Sequence, residues 1–343
     1  MKANSISFRS IVCIILILLL FSCNRSEVHV NTCNPSSSKE ALNLLKYLYS
    51  LSGEKTLAGQ HNYIGRMSEA SDQIALITQR YPALWGSDFG FSDSSNDIDN
   101  IIYRPDLIKE IEKQNKRGCI ITLTYHQGNP VIGEPCPFKG GVQSKLTDQQ
   151  WKDILTPGTE VYELWKKQMD TLAVYLKILA EKKIPVIFRP YHEMNGDWFW
   201  WGGKPGDDGF SGLWKQTFNY LTYQNKINNL IWAWCPDKPY YGLTEYYPGN
   251  EYVDVIGCDI YPEKDTNIVY RKEWYDEILV LAGDKPVAIS ECSIFPDAKI
   301  LAEQPRWIWF MGWDKLSFIN EKENIQKLYK NPDVLSIEKE KDE

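Results

Sequence analysis

A single-domain (β/α)8 TIM barrel is the fold this sequence predicts, and three observations point to it. Eight short apolar runs recur along the chain, each of strand length. Amphipathic stretches with helical spacing lie between them. No Pro/Gly/Ser-rich linker interrupts the chain after residue 40. Strands that alternate with helices build a parallel sheet, and eight such units close on themselves. A doubly wound open sheet shares the alternation, but no G-x-G-x-x-G follows the first run.

The elements follow in order. The segment SSSKEALNLLKYLYSLSG opens on serine caps and ends at Gly53, so it reads as a helix before the first strand. The strands are then KTLAGQ (55–60), ALWGSD (83–88), CIITLTYH (119–126) and IPVIFRPYHE (184–193). They continue with NLIWAWCP (229–236), VDVIGCDIY (253–261), PVAISE (286–291) and RWIWFMGW (306–313). Between the third and fourth lies WKKQMDTLAVYLKILAEKK, 165–183, where Met169, Leu172, Leu176 and Leu179 form one apolar face. The catalytic domain is expected over 39–337, with a charged tail over 338–343.

The first 22 residues read as an export signal rather than as fold. Lys2 and Arg9 precede the apolar run Ile11–Phe21, whose 11 residues are too short to span a bilayer, which takes about 20. The exit LFSC resembles a bacterial lipobox, with Cys23 as the lipidated residue. An ordinary secretory signal cut elsewhere is the alternative. A lipid on Cys23 would anchor the protein without a spanning helix, with 23–38 as a tether. No Asp follows Cys23, which by analogy favours the outer membrane, facing either the periplasm or the exterior.

Net charge is −7 with acids and bases interspersed, so no basic footprint for nucleic acid is present. The chain carries 13 Trp and 20 Tyr. Flat rings stack on sugars and bases alike, and acidic charge with export favours sugar. Six cysteines remain beyond the signal: Cys33, Cys119, Cys136, Cys235, Cys258 and Cys292. Cys119, Cys235 and Cys258 fall in or beside strand runs, as small buried hydrophobes do. No C-x-x-C spacing points to structural zinc. No cofactor or metal is expected, and a monomer is.

A barrel gathers chemistry at the C-terminal ends of its strands. Those ends read His61, Asp88, His126, Glu193, Cys235, Tyr261, Glu291 and Trp313. Glu193 and Glu291 close the fourth and seventh strands, across the mouth from each other. Two facing carboxyls suit glycosidic bond cleavage, in which one protonates the leaving oxygen and the other attacks the anomeric carbon or activates water. The run DWFWWGG after Glu193 offers apolar burial that would keep the acid protonated. The plainer alternatives are a structural Glu193 paired with Arg189, a salt-bridged Glu291, and DWFWWGG as a hydrophobic plug. Trp307 and Trp309 are expected to pack.

FRPYHEMNGDWFWWG (188–202) resembles the acid/base segment of glycoside hydrolase family 26, a family mainly of β-mannanases. ISE at 289–291 resembles its nucleophile strand, and TYHQGNP at 124–130 its histidine-bearing third strand. GCDIYP (257–262) and FMGWD (310–314) are similar to its sixth and eighth strands. The resemblance implies Glu193 as acid/base and Glu291 as nucleophile of a retaining enzyme acting on β-1,4-mannosidic bonds in mannan, galactomannan or manno-oligosaccharides. It implies that Tyr261 orients the nucleophile, that His126 and His192 contact the sugar, and that Trp198 and Trp313 stack on it. Arg189 would orient carboxylates, and Trp151 would add a subsite. β-1,3-Xylan and mixed-linkage glucan are alternative substrates on the same framework.

Two other classes compete. A metal-dependent hydrolase would use His61, His126, His192 and Asp88, but no H-x-H pair or H-E-x-x-H helix occurs. A non-catalytic glycan-binding lipoprotein would keep the rings without needing both glutamates.

Overall fold

The computed structural model describes residues 30–239, 242–263 and 269–339. The strands are β1 Thr56–Asn62, β2 Arg80–Pro82, β3 Leu84–Asp88, β4 Ile120–Tyr125, β5 Val186–Pro190, β6 Leu230–Trp234, β7 Val255–Ile260, β8 Val287–Cys292, β9 Trp307–Trp313 and β10 Val334–Glu338. The helices are α1 Lys39–Leu51, α2 Glu69–Thr78, α3 Arg104–Arg117, α4 Asp148–Ile154, α5 Glu160–Glu181, α6 Phe210–Asn219, α7 Lys272–Ala282, α8 Ala298–Glu303 and α9 Lys322–Lys330.

β1 pairs β3, the order runs through β4 to β9, and β9 returns to β1, all in parallel. That closed ring is the predicted (β/α)8 barrel, and its eight strands are the eight apolar runs. The runs are continuous rather than alternating because parallel strands in a barrel are covered on both faces. Ile187, Ile231, Val255, Ala288 and Ile308 join Leu44, Leu45, Leu48 and Leu51 of α1 in one apolar cluster, so the first helix packs against the barrel's own filling. Ser38 caps α1 by accepting from the Ala41 amide, and Gly53 beyond it has φ 81°, as the serine and glycine signals require. The outer core lies between strands and helices. Met169, Leu172, Leu176 and Leu179 of α5 are all buried there.

The chain departs from the expected plan at both ends. β10 pairs β1 in parallel and β2 in antiparallel fashion, adding a short flap that the sequence reading lacked. Its last residue, Glu338, reaches into the expected tail. Residues 30–38 are docked rather than tethered: Cys33 N–H donates to Asp254 Oδ1 (2.6 Å), Asn34 Nδ2 to the Ile227 carbonyl (3.2 Å) and Ser38 N–H to the Asn228 carbonyl (2.7 Å). The expected signal, 1–22, and Cys23 lie outside the described residues. Among the described residues no helix is long and apolar enough to cross a membrane, and the six cysteines are free thiols, Cys119, Cys235 and Cys258 buried as expected.

Candidate active site

β5 stops at Pro190, three residues before Glu193, because the backbone turns. Tyr191 (φ 53°) and Glu193 (φ 54°) both adopt the left-handed region. That conformation costs a non-glycine residue about 1 kcal/mol or more, and the surroundings hold it. Glu193 N–H donates to the Cys235 carbonyl beyond β6 (2.8 Å). Trp201 Nε1 donates to the His192 carbonyl (2.8 Å), and Trp200 Nε1 to the Gln127 carbonyl (2.8 Å). Trp165 Nε1 donates to the Tyr191 hydroxyl (3.1 Å), which donates to Gln127 Oε1 (2.7 Å).

This explains the aromatic run. Phe199, Trp200 and Trp201 are buried, with Phe199 stacked on Trp201 at 4.4 Å, and serve as the support of the turn. The plug reading is correct for these three. Trp198 alone of the four stays partly exposed, and its Nε1 donates to Glu193 Oε2 (2.7 Å). The ring expected to face sugar therefore also holds the carboxyl. Burial pushes the Glu193 carboxyl up to about 8; the negative charges of Glu291 and Asp237 add to it, and the Trp198 bond opposes it. At neutral pH this group keeps its proton.

Glu291 sits on β8, buried too, but with a cation and a hydroxyl on its oxygens. Arg189 Nη2 donates to its Oε1 (2.7 Å) and the Tyr261 hydroxyl to its Oε2 (2.9 Å). Burial raises its carboxyl, and the charges of Arg189 and His126 with the Tyr261 bond pull against that rise. Arg189 thus belongs to Glu291, and the structural alternative that paired it with Glu193 is overturned. The reason is position: on β5, Arg189 points into the barrel toward β7 and β8, whereas Glu193 lies beyond the strand. Gly257 makes room beneath. A Cβ there would lie 2.4 Å from Ser290 Oγ and 2.6 Å from Cys235 Sγ, too close for any side chain.

The histidines are held in distinct states. Asp88 Oδ2 accepts from both Nδ1 (3.0 Å) and the backbone N–H (3.0 Å) of His126. Burial alone would lower His126, but the Asp88 carboxylate outweighs it and the imidazole is raised. His192 is buried, lowered by burial and by the neighbouring His126 charge, and its Nε2 stands 3.7 Å from Glu291 Oε1. His61 stacks under Trp313 at 3.7 Å and 8°, fixing that ring's plane at the mouth.

One expectation changes. Trp151 does not line a subsite: it is buried on the inner face of α4, against Trp200, because the helix turns its apolar side to the core. Phe138 is a further ring left open, 36% accessible, tilted against Phe91 (5.6 Å) and His126 (6.1 Å) and edge-on to Phe199 (6.2 Å). No strand or helix pattern marks Phe138 in sequence, since it lies in a long loop. That loop is stitched to the next by Trp200 N–H to the Val142 carbonyl (3.2 Å) and by Lys145 Nζ to the Asp197 carbonyl.

The metal set drawn from sequence does not assemble. Among the described residues one potential ligand group comes together, His192, Asp259 and Glu291, with donor atoms within 4.8 Å. Arg189 already supplies the positive charge there, donating to both carboxyls at 3.2 and 2.7 Å.

A proton-holding carboxyl and an arginine-anchored one at the C-terminal mouth of a (β/α)8 barrel define the class of glycosidic-bond hydrolases. The comparisons agree. The sequence model described as Glycosyl hydrolase family 26 matches residues 33–341, and the chain belongs to that family. It is similar to the mannan endo-1,4-β-mannosidase of Thermothelomyces thermophilus, 30% identical over 328 residues. That match covers 93% of this chain and 63% of the relative, so the chain spans under two thirds of that relative. The mannan endo-1,4-β-mannosidase of Bacillus subtilis strain 168 is 29% identical over 317 residues, covering 84% of this chain and 83% of the relative. Among solved structures, GH26A from a Muricauda species has a TM-score of 0.82 at 37% identity, covering 88% of this chain and 98% of that one.

Proposed function

We propose that this glycoside hydrolase cleaves β-1,4-mannosidic bonds in mannan, galactomannan or manno-oligosaccharides by double displacement. The observation that carries the mechanism is the split between two carboxyls, the half-buried Glu193 pushed up to about 8 and the buried Glu291 anchored by Arg189 and Tyr261. A Glu291 oxygen attacks the anomeric carbon while the Glu193 proton passes to the departing glycosidic oxygen. The product is a glycosyl ester on Glu291. Glu193, now a carboxylate, takes a proton from water as that water's oxygen attacks the same carbon and releases Glu291. The route works with the carboxyl groups about 5–5.5 Å apart.

Substrate contacts in this reading come from His126, His192, Trp198, Tyr261 and Trp313, with Phe138 as a further ring wall. Mannan as substrate is supported by the names of the relatives. Product analysis over time on mannan, galactomannan, β-1,3-xylan and lichenan tests it: fastest release from mannan is expected, and faster release from xylan or lichenan overturns the assignment. Early-time proton NMR of the new reducing end should show the β anomer, and an α product would refute double displacement. Export with a lipid on Cys23 is part of the proposal; Cys23→Ala should then move the protein out of the membrane fraction.

A further inference from the structure

Glu291 shares Arg189 with a second carboxyl. Asp259 on β7 pairs with Glu291 in sheet register, where the β7–β8 pairing shifts. It is fully buried, and its two oxygens differ. Oδ1 accepts from Ser290 Oγ (2.6 Å) and from Arg189 Nη2 (3.2 Å). Oδ2 is buried with no hydrogen-bond partner. Arg189 meanwhile lies closer to Glu291, at 2.7 Å, and fixes its other donors on the Ser290 carbonyl (2.8 Å) and Cys235 Sγ (3.4 Å).

A carboxylate spreads its charge over both oxygens, so a buried one needs donors on each. A neutral acid has a single carbonyl oxygen that accepts strongly. In Asp259 both donors lie on Oδ1 and none on Oδ2, so ionisation would leave charge on an unpaired buried oxygen, a larger cost than one unpaired hydroxyl. The groups around it agree. β5 presents Arg189, with His192 and Glu193 beyond it. β6 leads to Cys235 and to Asp237, which bridges to Asp259 and is paired with Lys238 Nζ at 3.0 Å. β8 presents Ser290 and Glu291, and Cys258 precedes Asp259 on β7. Arg189 is the cation in direct contact, and one guanidinium between two buried carboxyls can neutralise one of them. Burial and the Glu291 charge push Asp259 well above the usual carboxyl range, with Arg189 opposing.

We propose that Asp259 is a positioning residue that works as a neutral carboxylic acid, its proton on Oδ2. It fixes Arg189 and Ser290 through Oδ1 and leaves the guanidinium charge to Glu291. A second carboxylate in its place would compete for Arg189 and hold Glu291 partly protonated, which disables attack. The consequence for turnover rests on the reading of Glu291 as nucleophile; the protonation state of Asp259 does not.

The test compares Asp259→Asn and Asp259→Ala in the full chain, on a soluble aryl β-mannobioside across pH. Asparagine reproduces the size and neutrality of the acid and keeps an oxygen for Arg189 and Ser290. Asp259→Asn should hold kcat/KM within about threefold with its acid limb unmoved, as for a carboxyl already neutral. Asp259→Ala, folded by circular dichroism, should lose about 10²-fold, since Arg189 and Ser290 lose a buried acceptor. An acid limb lowered by about one pH unit in Asp259→Asn would show that a negative charge beside Glu291 had been removed, and would overturn the proposal. Full activity in Asp259→Ala would overturn the positioning role. Carbon-13 NMR of aspartate-labelled protein, assigned against Asp259→Asn, reads the state directly. A protonated-position resonance that does not titrate from acidic to neutral pH is expected, and an ionised one refutes it. If the wild type turns over no mannoside, the proposed activity fails while the carbon-13 signal still decides Asp259.

Discussion

Replacing Glu193 with glutamine should stabilise the protein while disabling it. In the folded chain the carboxyl is raised to about 8 by burial and by Glu291 and Asp237. Its unfolded value is near 4.3. Between those values the unfolded chain releases a proton that the folded chain keeps, so the side chain's contribution to stability falls as pH rises through this window, then levels above about 8. Below the unfolded value both states hold the proton and the penalty vanishes. At about pH 7 it reaches about 3.6 kcal/mol, an upper figure because Glu193 touches solvent at the mouth. Glutamine has the same shape and no proton to hold. Urea unfolding of wild type and Glu193→Gln, near pH 4 and near pH 7, should give a stability difference that grows by roughly 2–3 kcal/mol in favour of glutamine at the higher pH. The same variant should lose about 10²–10⁴-fold on substrates with poor leaving groups, the share general acid catalysis supplies. A stability difference independent of pH would mean that Glu193 is solvated like a surface carboxyl, and the assignment of a poised acid would fall.

Glu291→Ala should lower turnover by on the order of 10⁴-fold or more, as removal of a nucleophile does, while calorimetric affinity for manno-oligosaccharides stays within a few-fold; retained turnover would exclude Glu291 as nucleophile. Trp198→Phe removes the donor that stabilises ionised Glu193, so the alkaline limb of kcat/KM should move up by about one pH unit. A limb that stays or moves down would show that the indole N–H does not act on the acid. Phe138→Ala removes an aromatic wall from the mouth and should raise KM about 5–10-fold with kcat little changed, the effect of losing about 1–1.5 kcal/mol of ring contact. A fall in kcat at constant KM would instead make Phe138 part of the reaction geometry.

Much of the plan is local and therefore readable in order along the chain. Eight buried strands appear as eight continuous apolar runs, because a barrel wall is dry on both faces. Glu193 and Glu291 stand out because the fold sends the ends of its strands to one mouth, and Met169, Leu172, Leu176 and Leu179 declare their face by spacing alone. The sequence also shows that rings crowd the acid. It cannot show which of them touch solvent: Trp151 on α4 and Trp200 after β5 bury each other, while Phe138 in a patternless loop stays open. Nor does it reveal that Arg189 serves Asp259 and Glu291, about 70 and 100 residues away. Exposure, hydrogen-bond partnership and proton affinity depend on atoms that distant segments bring within a few ångströms, so only the closed barrel decides them.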